Sequence, residues 1–141
     1  MIKYLLLDCD GIIVARDKYF SQRLLGLGLN LDENEIGKFF STDFVLCKIG
    51  KKDLKNELRK QLPLWNLNWT VGKTIDFWFS AEREFDRNIF NYIIEIRQRG
   101  IKVFVPTEQE KYRAADLWEN AGLKNITDGI FFFVRYWIFK N

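Results

Sequence analysis

Two short apolar runs constrain the fold more than any other feature. Tyr4 to Leu7 is unbroken between Lys3 and Asp8, and Ile101 to Val105 follows Gly100 and is stopped by Pro106. Short runs that are apolar almost throughout, broken here only by Lys102, fit strands covered on both faces, the pattern of a buried parallel sheet. A helical pattern precedes the second run, from about Glu84 to Arg99. It places Phe85, Ile89, Ile93 and Ile96 on one face, with Gly100 suited to the C-terminal cap. A further helix follows Pro106: Thr107 with Glu110 makes a capping-box pattern, and Ala114, Leu117, Trp118 and Ala121 keep helical spacing up to Gly122. Gly129 to Val134 is a third strand candidate. This alternation of helix and strand with short connections predicts an α/β fold built on a parallel sheet.

The stretch from Asp17 to Ser80 breaks the alternation. It is polar, helical in period and lacks a strong strand. Asp32 with Glu35 starts one helix, Asp53 to Leu62 forms another, and Thr74 to Ala81 a third. The expected organisation is an α/β core from residues 1–16 and 81–141, with residues 17–80 inserted as a helical unit. Trp65, Trp69, Phe77, Trp78 and Phe79 cluster in the insert; Phe77 and Trp78 are assigned to its core, while Trp65 and Trp69 are left between core and a substrate entrance. Lys48, Lys51, Lys52, Lys55, Arg59 and Lys60 interleave with Asp53 and Glu57, which favours a solvated helix face over a substrate-steering patch.

Composition narrows the chemistry. A net charge of +3 from 22 basic and 19 acidic residues is too balanced to point to nucleic acid or a membrane surface. Cys9 and Cys47 are the only cysteines, so no disulfide framework is indicated. No apolar run approaches the ~18 residues of a membrane span, and Asp8 and Asp10 interrupt the first run too early for a signal peptide, so a cytoplasmic location is expected. The chain has no histidine, which removes Ser-His and Cys-His nucleophile pairs, His-based zinc sites and a His general base. Any catalysis therefore uses carboxylates, hydroxyls, lysines or a hard metal ion.

The segment Leu7-Asp8-Cys9-Asp10-Gly11 sets two carboxylates at the carboxyl end of the first strand, where open parallel sheets bind ligands. Two close anions repel, and a bound cation relieves that cost; oxygen donors suit magnesium, which also bridges to phosphate. Gly11 allows the turn that aims both side chains at one point. The plainer reading is that Asp8 and Asp10 end a strand and form a turn with Gly11. Cys9, between them, reads as small and buried rather than nucleophilic.

KYLLLDCDGIIV resembles the first motif of the haloacid dehalogenase (HAD) superfamily of phosphohydrolases, and IKVFVPTEQE resembles the second, a strand ending in Ser or Thr. The resemblance runs to about Phe132, with the helical insert in the place of that family's helical cap. It implies a partial Rossmann-like HAD core and hydrolysis of a phosphorylated small molecule dependent on magnesium. By this resemblance Asp8 is the nucleophile that becomes an aspartyl-phosphate, and Asp10 protonates the leaving group and then deprotonates water. Magnesium is held by the Asp8 carboxylate and the Asp10 main-chain carbonyl, Gly11 shapes the phosphate loop, and Thr107 binds a phosphoryl oxygen. Amides at the start of the Thr107 helix add anion binding. Thr107 also has a plain role as a helix cap. Glu108 departs from the pattern, since relatives commonly carry an amide there, and Pro106 is unexpected at a strand end.

The resemblance further implies a lysine and a distal acidic group downstream of Phe132. There the sequence offers only Lys140, and no carboxylate after Asp128. One permitted coding of Arg135 to Lys140, shifted by a base, reads Asp-Ile-Gly-Tyr-Leu-Lys, so the tail is also readable as frameshifted. The alternatives to an active phosphohydrolase are a truncated, inactive remnant and a non-enzymatic interaction module. Lacking a fourth parallel strand beside it, the first strand is expected to expose an edge. That edge then supports a homodimer, is covered by the aromatic tail, or leaves the fold marginally stable.

Overall fold

The computed structural model describes residues 1–15 and 17–132, together with the backbone of residues 136–139. The tail readings at Phe133 to Arg135 and at Lys140 lie outside the described residues. Contacts divide the chain into an α/β unit, residues 1–16 and 82–141, and a helical unit, residues 17–81. Among the described residues no helix is long and apolar enough to cross a membrane.

In the α/β unit, β1 (Tyr4–Leu6), β2 (Lys102–Thr107) and β3 (Gly129–Phe132) run parallel, and β4 (Tyr136–Phe139) pairs antiparallel with β3, giving the order β1-β2-β3-β4. Leu6 stands beside Phe104, and Pro106 beside Phe131. The α/β class is as expected. The tail, however, extends the sheet at β3 rather than covering β1, whose one partner within the described residues is β2.

Three helices of this unit are αA (Arg87–Gln98), αB (Lys111–Glu119) and αC (Leu123–Ile126). Ile93 of αA, Ala114, Leu117 and Trp118 of αB, and Leu123 and Ile126 of αC share one buried cluster with Val103, Val105, Ile130 and Phe132. Those strand residues all point to one face. The other face carries Tyr4 and Leu6, each 61% exposed, with Phe104 and Phe131 half-buried. The first strand is thus covered on one face only, not on both as its unbroken apolar run suggests.

Pro106 does not stop β2 but lies within it. The Lys102 N–H donates to the Lys3 carbonyl, and the Leu7 N–H donates to the Phe104 carbonyl. In a parallel ladder alternate residues face the same neighbour, so position 106 also faces β1. Proline has no N–H to continue the series. The β1–β2 pairing ends there, while β2 stays paired with β3 as far as Thr107 beside Phe132.

αA starts at Arg87 because Asp86 caps it, accepting from the Asn88 and Ile89 N–H groups, while Phe85 pairs in extended form with Val14. Gly100 follows its end at φ +82° and donates to the Arg97 carbonyl, as its cap position requires. αB begins later than its sequence pattern suggests. Its N-cap is Glu110, whose carboxylate accepts the Arg113 N–H, so Thr107 is the last residue of a strand and not a helix cap.

The helical unit consists of αD (Phe20–Leu25), αE (Glu33–Ser41), αF (Asp43–Lys48), αG (Leu54–Leu64) and αH (Val71–Ser80). Asp32, Asp53 and Thr70 cap αE, αG and αH through side-chain oxygens. Trp65 and Trp78 are buried, whereas Trp69 and Phe77 are half-buried, so Trp65 belongs to the core and Phe77 only partly does.

Candidate active site

β1 delivers the chain to a tightly bonded turn. The Cys9 carbonyl accepts from the Ile13 and Val14 N–H groups, both at 2.9 Å, and the Gly11 N–H donates to the Val14 carbonyl at 3.1 Å. Gly11 adopts φ +77°, a conformation that an L side chain disfavours. Cys9 is fully buried, while Asp8 is exposed and Asp10 half-buried. The Asp8 carboxylate accepts the Cys9 N–H through Oδ1 at 2.8 Å, which leaves Oδ2 as the oxygen not held by that bond.

Asp8, Pro106, Thr107, Glu108, Phe131 and Phe132 line one cleft of about 330 Å³. Its position follows from the fold: the cleft opens at the carboxyl ends of β1 and β2, where Pro106 ends their pairing. Asp8 and Thr107, far apart in sequence, therefore share a wall. Asp10 is not part of that wall. Its Oδ2 instead accepts a hydrogen bond from Gln109 Nε2 at 2.6 Å.

Beneath the loop lies a buried charged cluster. Arg113 is 2% exposed, donates to the Glu82 carbonyl, and lies 3.5 Å from the Glu82 carboxylate and 3.4 Å from Asp116. Arg83 makes a two-pronged pair with Asp116 at 2.6 and 3.0 Å. Burial pulls the Arg113 guanidinium below its ordinary value, against the opposing influence of Glu82, Cys9, Asp10 and Asp116. Burial alone would raise the Asp116 carboxyl, but hydrogen bonds from Arg83 and Asn120 and the charges of Arg83 and Arg113 hold it below the usual carboxylate value.

The expectation that the helix after Thr107 offers its first amides to an anion does not hold. Glu110, a carboxylate only 1% exposed, already occupies the start of αB. The same shift relieves Thr107 of capping, so its hydroxyl no longer has to serve a helix.

Among the described residues no group of three or more Asp, Glu, Cys or His side chains is placed to hold a metal. Magnesium commonly takes one or two protein carboxylates and completes its shell with water and phosphate oxygens. Asp8 and the Asp10 carbonyl offer hard oxygen donors of that kind, so the donor chemistry fits the ion.

Two contributors escaped the sequence reading. Gln109 lies two places beyond Thr107, and its amide at the same sheet end was the available signal. Arg113 had none, because a single arginine on a helix normally faces solvent. Compared with protein-family models, with curated proteins and with solved structures, the chain matches none.

Proposed function

We propose that this chain is a HAD-like phosphohydrolase that cleaves a phosphate ester of a small molecule, with Asp8 as nucleophile. The observation that carries this reading is the shared cleft of Asp8 and Thr107 at the carboxyl end of the sheet. A carboxylate can act as a covalent nucleophile without histidine, and phosphoryl transfer needs chiefly in-line positioning and charge neutralisation.

Asp8 Oδ2 attacks phosphorus as the ester P–O bond breaks, and the leaving oxygen takes a proton from the Asp10 carboxyl. Water then attacks the phosphorus of the aspartyl-phosphate, its proton goes to Asp10, and the P–O bond to Asp8 breaks, which restores the carboxylate and frees inorganic phosphate. Thr107 donates its hydroxyl to a phosphoryl oxygen. Magnesium, held by the Asp8 carboxylate and the Asp10 main-chain carbonyl, would offset the charge of the phosphoryl oxygens. Gly11, directly after Asp10, takes the positive φ that the turn beyond the two aspartates requires. Hydrolysis of p-nitrophenyl phosphate with magnesium tests this. Asp8→Asn lowers the rate by about a thousandfold or more. Absence of hydrolysis at every magnesium concentration would leave an inactive remnant instead.

A second reading, an interaction module that forms a homodimer, is favoured by the β1 edge. Lys3 and Leu7 use their backbone groups toward β2, so alternation directs those of Tyr4 and Leu6 outward. Two such edges are self-complementary: an antiparallel pairing centred on Leu5 sets Tyr4 of each copy opposite Leu6 of the other. Leu6→Pro removes one outward N–H and leaves the β1–β2 bonds intact. Sedimentation then shows a concentration-dependent dimer lost in that variant, and a wild-type monomer at all concentrations refutes the module.

A further inference from the structure

A cleft larger than the one beside Asp8 lies within the helical unit, and local sequence shapes it. αG carries Pro63 in its last turn and ends at Leu64. Asn66 then reverses the chain at φ +57°, a conformation that asparagine accepts more readily than most side chains. The turn is closed by the Asn66 N–H donating to the Pro63 carbonyl at 3.2 Å and the Leu67 N–H donating to the Leu62 carbonyl at 3.0 Å. Thr70 then caps αH. The end of αG, this connection and the start of αH enclose about 510 Å³, within the range of small-molecule sites.

The lining offers a cation and hydrogen-bond donors but no carboxylate, whereas the cleft beside Asp8 holds both Asp8 and Glu108. Arg59 is exposed and donates to the neutral Asn56 Oδ1 at 3.0 Å; among the described residues it pairs with no carboxylate. Its neighbour Lys60, by contrast, is bound to Glu57. The side-chain amides of Asn66 and Asn68 and the Trp69 indole N–H also line the cleft, and none has a hydrogen-bond partner among the described residues. Lys73 Nζ lies 4.4 Å from the centre of the Trp69 ring and likewise pairs with no carboxylate there. Phe77 meets the same ring edge-on at 5.3 Å, which fixes it as a flat wall.

We propose that this cleft binds a small aromatic carboxylate, its oxygens on the Arg59 guanidinium and its ring along Trp69 and Pro63. A guanidinium matches a carboxylate with two parallel donors, and the Asn66 and Asn68 amides supply further ones. A cation would meet like charge from Arg59 and Lys73. An inorganic anion would leave the apolar wall unused, and a neutral ring would leave Arg59 unused. The inference does not depend on the phosphohydrolase reading. It separates Arg59 from the basic run of αG, whose other members serve as a solvated face, and it gives the half-buried Trp69 a ligand to meet.

The test is a titration of the full chain with naphthalene-2-carboxylate, followed by nuclear magnetic resonance. The Trp69 indole and the Asn66 and Asn68 side-chain amide signals should shift and saturate below about 1 mM, while the signal of the buried Trp65 indole stays in place and reports an intact fold. Arg59→Gln, a change at an exposed position, should weaken binding about tenfold, the scale of a hydrogen bond to a charged group. The neutral naphthalene-2-carboxamide should bind wild type about tenfold more weakly than the acid, and Arg59→Gln should leave its affinity unchanged. Equal affinity for acid and amide, or an acid affinity indifferent to Arg59→Gln, would overturn the proposal. So would shifts that fall on other residues, or that fail to saturate.

Discussion

In the helical unit the interior is aromatic. Phe20 stacks on Trp78 with centroids 4.6 Å apart, Phe39 meets Trp65 edge-on at 5.3 Å, and Phe40 and Phe44 extend the cluster. Its buried carboxylate, Glu57, is served by Lys52 at 3.6 Å and Lys60 at 2.7 Å, side chains that reach in from the surface. In the α/β unit the interior is mainly aliphatic, yet it encloses Glu82, Glu110, Arg113 and Asp116. Buried charge is costly unless it is paired and fully hydrogen-bonded. The two units thus place it differently: at the rim in one, and beneath the Asp8–Asp10 loop in the other. The contrast separates a core that only packs from one that also sets the field around a candidate site.

Removing the central cation breaks that contrast most severely. Arg113→Met should cost about 3–5 kcal/mol, because it removes the buried cation that lies against both the Glu82 and Asp116 carboxylates, leaving Asp116 to Arg83 and Asn120. By comparison Glu57→Gln in the helical unit should cost about 1 kcal/mol or less, since its lysine partners turn back to water. Urea denaturation measures both, and equal costs would erase the distinction.

Acid should sharpen it next. Asp116 and Asp128 both lie below the ordinary carboxylate value of 3.8 in the folded chain. For Asp128, burial works against this, and hydrogen bonds from the Val103 N–H and Arg97 with the charges of Arg97 and Lys102 prevail. A depressed folded value adds stability that is complete above the unfolded value and is lost as pH falls through the folded one. The α/β unit should therefore weaken below about pH 4, and more steeply than an Asp128→Asn variant, as followed by thermal melts across that range.

The smallest effect concerns Trp65. It is fully buried, and its Nε1 has no hydrogen-bond partner among the described residues. Trp65→Phe loses ring volume but also removes an unsatisfied donor, so its net cost should stay within about 1 kcal/mol. A loss above about 3 kcal/mol would show that the ring's packing outweighs the polar penalty.

Much of the fold was legible because it rests on local chemistry. The apolar runs located β1, β2 and β3, and Asp32 and Asp53 marked the starts of αE and αG. What was not legible depended on distant partners. Thr107 and Glu110 spell a capping box, but Thr107 is drawn into β2 by its pairing beside Phe132, and Glu110 takes over the cap. The short αD and αF carry too few residues for a clear period, and αC is a single turn after Gly122. For the candidate site, Asp8 could be picked out from its place at the end of the first apolar run, and Thr107 only through the resemblance of its segment to a known motif, since its own pattern spells a helix cap. Gln109 could not be, since its contact with Asp10 spans 99 residues.

One imino acid has an effect well beyond its own volume. Strands that lie side by side tend to close up along their whole length, and a ligand can enter only where that adhesion stops. At position 106 the hydrogen that would join the next rung is absent, so the seam between β1 and β2 cannot zip past Leu7. Restoring that hydrogen with alanine would let the seam run on and squeeze shut the mouth beside Asp8. In this chain, the entrance exists because a single donor was left out.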